Sequence, residues 1–75
     1  MNLDNQRFLR ELGQRIRDQR VARKWTQAEL GRRCELHRTF IGSVERGERN
    51  LSILNLRVLA RALRTSMAGL LHDLK

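Results

Sequence analysis

Apolar residues recur at intervals of three and four along nearly the whole chain, and this periodicity constrains the fold more than any other feature. Such spacing puts apolar side chains on one face of an α-helix, whereas the alternation of a half-buried strand is absent. The sequence contains no proline that would break a helix. We therefore predict one all-α domain over residues 1–75, with five helices at about 5–23, 27–34, 38–46, 53–64 and 67–74.

Polar residues at the start of the apolar runs support these boundaries. Thr26 begins the sequence TQAE, a capping box in which Thr26 and Glu29 each accept a hydrogen bond from the other's backbone N–H. Ser52 stands in a similar position before a later helix, and Gly47 suits the left-handed end of one. Residues 26–46 then form two short helices joined by a tight turn, which is the pattern of a helix-turn-helix.

The composition favours nucleic acid as the partner. A formal net charge of +8 attracts polyanions, with nucleic acid the first candidate and an anionic membrane surface the second. Aromatic residues make up only 4%, too few for the usual base-stacking binder of single strands. No apolar run is long enough to cross a membrane, the first 20 residues show no signal peptide, and the single cysteine cannot form an internal disulfide. We therefore expect a cytoplasmic protein that has no membrane partner.

The segment HRTFIGSVERGERN, residues 37–50, carries the feature that points to DNA. At about 100° per residue, Phe40, Ile41 and Val44 share one arc of a helix. The opposite arc combines short polar and basic side chains without a carboxylate, and it consists of Arg38, Thr39, Gly42, Ser43 and Arg46. Arginine matches the guanine edge in the major groove, and hydroxyls bond to several bases. This face therefore predicts contacts with base edges.

The sequence TQAELGRRCELHRTFIGSVERGERN resembles the helix-turn-helix of the phage-repressor and Cro-like family. The resemblance covers nearly the whole chain, because residues 16–20 and 51–71 resemble the helices that flank this motif in the family. Within the family, LHRTFIGSVERGERNLS is most similar to the controller proteins of restriction–modification systems, which are small dimeric regulators of transcription. The resemblance implies a five-helix, Cro-like regulator that acts in the bacterial cytoplasm, on the DNA of the nucleoid.

The resemblance also implies roles for individual residues. The family's base-contacting positions are occupied by Arg38, Thr39, Phe40 and Ser43. Its phosphate-contacting positions are occupied by Gln27, His37, Arg46, Arg49, Asn50 and Ser52. Arg20 and Glu45 resemble the family's partly buried ion pair, which ties the first helix to the third, the recognition helix. Phe40 stands where controllers usually carry tyrosine, so a hydroxyl contact is lost there.

The last two helices predict how two copies of the chain associate. The fourth helix carries its apolar residues on one face: Ile53, Leu56, Leu59, Ala60 and Leu63. The last helix carries a second apolar stripe: Met67, Leu70, Leu71 and Leu74. This is more apolar surface than a short terminal helix needs, so we predict that part of it forms the two-fold interface of a homodimer. Such a dimer would contact a pseudo-palindromic operator with half-sites about 10 bp apart.

Several alternatives remain open. A phage-type repressor or an autoregulating antitoxin would use the same DNA-binding motif, whereas a basic helical adaptor would bind protein or RNA. The regulator would activate transcription, repress it or do both, and RNA polymerase is a further partner that activation would involve. An enzyme is not expected, because Cys34 and His37 lack the further groups that a catalytic or metal site needs. We expect no cofactor, no metal and no small-molecule ligand.

Overall fold

The computed structural model describes residues 2–75 as five α-helices. In chain order they are α1 (Leu3–Ala22), α2 (Gln27–Cys34), α3 (Arg38–Glu45), α4 (Ile53–Ala62) and α5 (Met67–Leu71). This range contains no strand, which confirms the prediction of an all-α, five-helix fold. The bounds of α2 are those predicted, whereas the other four helices differ from the prediction at one or both ends.

Each helix begins after a residue whose side chain accepts a hydrogen bond from the first turn. These cap residues are Asn2, Thr26, His37, Ser52 and Ser66. At α2, Thr26 Oγ1 accepts from the backbone N–H of Glu29 at 3.0 Å, which satisfies a donor that has no partner within the helix. The return half of the predicted capping box is wrong, because the Glu29 carboxylate pairs with Arg32 and Arg33 instead.

The helices end where the backbone leaves the helical region, and glycine is required at only one of these ends. Arg64 has a left-handed φ of 55°, so α4 ends at Ala62. His72 is extended, with φ of −55° and ψ of 129°, so α5 ends at Leu71. Both helices are therefore shorter than predicted, because neither residue type signals a turn. The predicted left-handed stop at Gly47 is confirmed, with φ of 76°.

A single core joins all five helices. Each helix contributes to it one side chain that is almost fully buried: Ile16 from α1, Leu30 from α2, Ile41 from α3, Leu59 from α4 and Leu70 from α5. Burying an aliphatic side chain of this size stabilises the fold by about 1.5–3 kcal/mol. Cys34 lies in the same core, as expected for a small apolar residue.

Two glycines allow α1 to support the end of α3. A Cβ atom at Gly13 would collide with the carbonyl oxygens of Val44 and Glu45, the latter at 2.7 Å. Glycine therefore lets α1 and α3 meet backbone to backbone at this crossing. A Cβ atom at Gly47 would lie 2.6 Å from Cγ of Arg10 in α1. The C-terminal end of α3 is thus held against α1 on both sides of the helix stop.

Candidate DNA interface

The turn between α2 and α3 closes tightly. Glu35 has a left-handed φ of 56°, and the backbone N–H of Leu36 donates to the Gly31 carbonyl at 2.8 Å. A side chain at Gly31 would collide with the Leu36 carbonyl, so glycine permits the close approach. The two helices then pack through their buried faces. Thr26 to Glu45 therefore form a helix-turn-helix, as the sequence predicted.

The outer face of α3 carries the side chains predicted to contact bases. Arg38 and Thr39 are exposed, and Phe40 and Ser43 are half-buried. The prediction that Gly42 belongs to this face is wrong, because the residue is buried. The Gln27 Oε1 atom lies 3.2 Å from the place that a Cβ of Gly42 would take. The accessible face is therefore narrower than the helical periodicity indicated.

Behind this face, Arg20 of α1 forms a bidentate ion pair with Glu45 of α3. The Arg20 Nε and Nη2 atoms lie 2.6 and 2.9 Å from the two carboxylate oxygens, and Nη1 donates to the Trp25 carbonyl at 2.7 Å. The side chains of Arg20 and Glu45 are only 11% and 3% exposed. The hydrogen bond to Glu45 raises the pKa of Arg20, which stabilises its charged form. The pair thus joins α1 to the recognition helix α3.

Gln27, the first residue of α2, joins the same network. Its Nε2 atom donates to Glu45 Oε1 at 3.1 Å, so one carboxylate holds α1, α2 and α3 together. The Gln27 amide and the Arg46 guanidinium both lie over Gly42, 3.2 and 3.1 Å from the place that its Cβ would take, which explains why that position is buried. One side-chain N–H of Gln27 therefore points inward. Thr26 occupies the third backbone N–H of α2, so the second side-chain N–H of Gln27 and the first two backbone N–H groups of α2 remain without a bond within residues 2–75.

Arg49 lies against α3, although it belongs to the connector that follows. Its guanidinium carbon is 5.3 Å from the centroid of the Phe40 ring, and its Nε donates to Ser43 Oγ at 3.3 Å. Ser43 in turn donates its hydroxyl hydrogen to the Phe40 carbonyl at 2.7 Å. The predicted phosphate-contacting Arg49 and the predicted base-contacting Phe40 and Ser43 therefore form one cluster. Helical periodicity does not predict this cluster, because Arg49 lies outside α3.

The N-terminus of α3 is capped by His37, which lies beside an exposed hydroxyl. His37 Nδ1 accepts from the backbone N–H of Thr39 at 3.1 Å. Thr39 Oγ1 lies 2.8 Å from the same nitrogen. Both side chains are exposed, so the imidazole holds Thr39 in place without covering it.

The remaining predicted phosphate contacts lie at the end of α3 and in the connector to α4. Arg46 pairs with Glu48 through Nε at 3.0 Å and Nη2 at 3.1 Å, and this hydrogen bonding lowers the pKa of Glu48. Such an exposed pair contributes little to stability and can open for another anion. Asn50 is exposed. Ser52 caps α4, because its Oγ accepts from the backbone N–H of Asn55 at 3.0 Å.

Comparison with known proteins agrees with this geometry. The helix-turn-helix family matches residues 16–70. The chain belongs to this family. It is 45% identical over 60 residues to the control protein C.SmaI of Serratia marcescens, a match that covers 80% of the chain and 71% of that protein.

Solved structures of several proteins share the fold of this helix-turn-helix protein. The restriction–modification controller protein C.AhdI from Aeromonas hydrophila has a TM-score of 0.80 at 40% identity, over 83% of this chain and 94% of that chain. The P22 c2 repressor, solved in complex with a synthetic operator, has a TM-score of 0.76 at 36% identity, over 81% of this chain and 92% of that chain. The predicted resemblance to Cro-like regulators and restriction–modification controllers is confirmed. The protein is thus a helix-turn-helix member of the DNA-binding transcription regulators.

The apolar surface of this helix-turn-helix protein is not where the sequence placed it. Met67, Leu71 and Leu74 are half-buried. Leu70 is only 1% exposed, so its prediction as an interface residue is wrong: the side chain fills the protomer's own core. Ile53, which was predicted on the same face of the helix as the buried Leu56 and Leu59, is 66% exposed. Leu54 and Val58, whose exposed fractions are 66% and 39%, lie four residues apart on α4 and form an accessible apolar patch.

Three further features of residues 2–75 concern metal ligands, helix length and the cysteine. No three His, Cys, Asp or Glu side chains in this range gather where they could hold a metal ion. None of the helices described is long and apolar enough to cross a membrane. Cys34 is buried, and burial raises the pKa of its thiol. The thiol is therefore protonated at neutral pH, the opposite of what a reactive cysteine needs.

Proposed function

We propose that this protein binds duplex DNA at a specific sequence and regulates transcription as the controller protein of a restriction–modification system. The observation that carries the proposal is the outer face of α3, which begins with exposed Arg38 and Thr39 and is anchored from behind by the Arg20–Glu45 pair. A polar, basic face on a firmly held helix suits the major groove. The similarity to C.SmaI and C.AhdI, which are named as controllers, supports the regulatory role.

Base selection would rest mainly on the first turn of α3. Arg38 forms no ion pair with a carboxylate within residues 2–75, so its guanidinium is free for the acceptor edge of guanine. Thr39 would add a hydroxyl beside it. Phe40 and Ser43 hold Arg49 through stacking and a hydrogen bond. We propose that Phe40 and Ser43 act at the DNA surface chiefly by positioning the guanidinium of Arg49.

Phosphate contacts would fix the position of the protein on the duplex. We propose six residues for them: Gln27, His37, Arg46, Arg49, Asn50 and Ser52. Gln27 has one side-chain N–H left after its bond to Glu45, and it stands at the positive end of the α2 dipole. The net charge of +8 adds a general attraction. The affinity for DNA should therefore fall steeply as the salt concentration rises. We propose that the protein acts in the bacterial cytoplasm, on the DNA of the nucleoid.

A homodimer would complete the regulator. One recognition helix offers a small interface, and two-fold pairing doubles it on a pseudo-palindromic operator. We propose that a second copy of the chain covers the exposed patch of Leu54 and Val58 on α4. The half-buried Met67, Leu71 and Leu74 would contribute at its margin. Activation by such a dimer would further involve RNA polymerase, which we propose as a partner.

A phage-type repressor is the second candidate. The likeness to the P22 c2 repressor, at 36% identity over 81% of this chain, favours it. Both candidates use the same surface of α3 and differ only in the promoters that they control. Operators beside the genes of a restriction enzyme and a methyltransferase would favour the controller. Operators within prophage genes would favour the repressor.

The proposal is tested by selecting binding sites from a randomised duplex DNA library at physiological salt. We expect an enriched two-fold motif whose half-sites lie about one helical turn apart. A randomised duplex RNA library serves as the control and should yield no motif. Retention of DNA without enrichment would mean that charge alone binds it. That result would contradict the proposal and favour a basic adaptor.

A further inference from the structure

A cleft lies between α1 and the connector that follows α3. It is lined by Gln6 and Arg10 of α1 on one side and by Arg46, Gly47 and Glu48 on the other. A Cβ atom at Gly47 would lie 2.7 Å from the Cα atom of Arg10, so glycine allows the two backbones to meet. This contact holds Arg10 beside the end of the recognition helix, although the two are distant in sequence.

The charged groups of this cleft leave it with one net positive charge. Arg46 is paired with Glu48, whose carboxylate accepts from Nε and Nη2. Arg10 is exposed and forms no ion pair with any side chain of residues 2–75. The cleft therefore holds two guanidinium groups and one carboxylate. An anion that enters it is attracted by Arg10 and competes with Glu48 for Arg46.

The same side of α1 also borders the later part of the connector. Asn50, a proposed phosphate contact, lines a second cleft with Asn5, Phe8 and Leu9 of α1. The first turns of α1 therefore run along the connector from the end of α3 to the residues before α4. A DNA backbone held by the connector would pass beside this helix.

We infer that Arg10 of α1 is a further DNA contact, which shares a backbone phosphate with Arg46 and lies outside the helix-turn-helix. Glu48 occupies the guanidinium of Arg46 in the free protein, and the phosphate replaces it on binding. Guanidinium groups bind phosphate oxygens through charge-assisted hydrogen bonds. Such a contact adds affinity without sequence information. The inference rests on the proposed function and deepens it.

The dependence of binding on salt counts the phosphate contacts. Each phosphate of B-DNA that a cationic side chain neutralises adds about 0.9 to the slope of log K against log salt. Dissociation constants are measured from low to physiological salt on the selected operator and on a shuffled duplex. Arg10→Gln keeps the Cβ and Cγ atoms that pack on Gly47, and circular dichroism checks that each variant retains its helices.

Arg10→Gln should weaken binding to both duplexes about threefold to tenfold, the range of one hydrogen bond. Its salt slope should fall by about 0.9 for each bound protomer. Arg10→Lys keeps the charge and should keep the slope. Arg7→Gln is the control, because it removes the same charge at an exposed arginine of α1 that lines a different cleft. Glu48→Gln frees Arg46 and should tighten binding to both duplexes.

Neutral methylphosphonate linkages, placed one at a time in the operator, locate the contact. At one phosphate in each half-site, the substitution should weaken binding of the wild type and of Arg7→Gln. It should weaken binding of Arg10→Gln much less, because that variant has already lost one of the two guanidinium groups. Arg46→Gln should show the same reduced response at the same phosphate.

An Arg10→Gln variant with the slope and the methylphosphonate pattern of the wild type would overturn the inference. An Arg7→Gln variant that loses as much slope as Arg10→Gln would overturn it as well, because general charge would then explain both. In either case the operator would still be selected, and the proposed function would stand. A library selection that enriches no sequence would instead remove the proposed function, and the slope on the shuffled duplex would still decide whether Arg10 contacts phosphate.

Discussion

Gln27 has one group engaged inside the protein and another available outside it. Its Nε2 donates to the buried Glu45 carboxylate, and its backbone lies in the first turn of α2, where N–H groups face outward. A phosphate bound there would be recognised by charge and position, and not by sequence. Gln27 should therefore contribute to affinity without contributing to base choice.

The variant Gln27→Ala tests this residue. We expect it to weaken binding by about 1 kcal/mol on the selected operator and by the same amount on a shuffled duplex. Fluorescence anisotropy at fixed salt gives both dissociation constants. Gln14→Ala, which removes an exposed glutamine of α1 bonded to Asp18, is the matched control and should change neither. A change in the ratio of the two constants would show that Gln27 takes part in base selection.

At the scale of the elements, the junction of α1, α2 and α3 sets the orientation of the recognition helix. Arg20 and Glu45 form its centre, and Gln27 joins them. A buried pair contributes little net stability, but removal of one partner leaves an uncompensated charge. Replacing one member of the Arg20–Glu45 pair should therefore lower the free energy of unfolding far more than replacing both members.

The variant Arg20→Met should lower the free energy of unfolding by about 3–5 kcal/mol. Urea denaturation measures the loss. Arg17→Met, at an exposed arginine of the same helix, is the control and should stay within about 0.5 kcal/mol of wild type. Adding Glu45→Gln to Arg20→Met should recover part of the loss, because the unpaired charge is then gone. A single variant as stable as wild type would mean that the pair does not hold α3.

The elements were largely predictable from sequence because their signals are local. Apolar spacing and the Thr26 cap gave α2 its correct bounds. The ends of α4 and α5 were missed, since Arg64 and His72 leave the helix without glycine or proline to mark it. Leu70 was assigned to the interface from the apolar stripe of its helix, but the side chain is buried in the protomer's own core. Periodicity gives the direction of a side chain but not whether another helix covers it.

In the candidate site, too, local features were predictable from the sequence, whereas contacts between helices were not. The exposed first turn of α3 followed from periodicity within one helix, and the assigned roles followed from the family resemblance. The covering of Gly42 by Gln27 could not be predicted from the sequence, because the two residues meet only after α2 packs on α3. The stacking of Arg49 on Phe40 likewise depends on how the connector folds back. Contacts between elements determine which groups remain free for DNA.

At the scale of the whole molecule, the proposed regulator requires two copies of the chain. The exposed patch of Leu54 and Val58 on α4 is the surface that we assign to their contact. An isolated protomer would present a single α3 to a single half-site. Affinity for the full operator should therefore depend on residues that touch no DNA.

The variant Leu54→Glu should convert the proposed dimer to a folded monomer, because a carboxylate placed in this apolar patch would be buried there without a partner. Sedimentation equilibrium measures the mass, and circular dichroism checks the helices. Val21→Glu is the matched control, since Val21 is an exposed apolar residue of α1, 52% accessible, outside the patch. It should leave the dimer intact. A Leu54→Glu variant that stays dimeric would place the interface elsewhere.

The most direct test of the central claim, that the exposed first turn of α3 selects the DNA sequence, is the operator preference of Arg38→Ala. Dissociation constants on the selected operator and on a shuffled duplex are measured for wild type, Arg38→Ala and the exposed-arginine control Arg17→Ala. The account predicts that Arg38→Ala loses about 1–3 kcal/mol on the operator and little on the shuffled duplex, while the control keeps the wild-type ratio. Equal losses on both duplexes would contradict it, because Arg38 would then supply only charge.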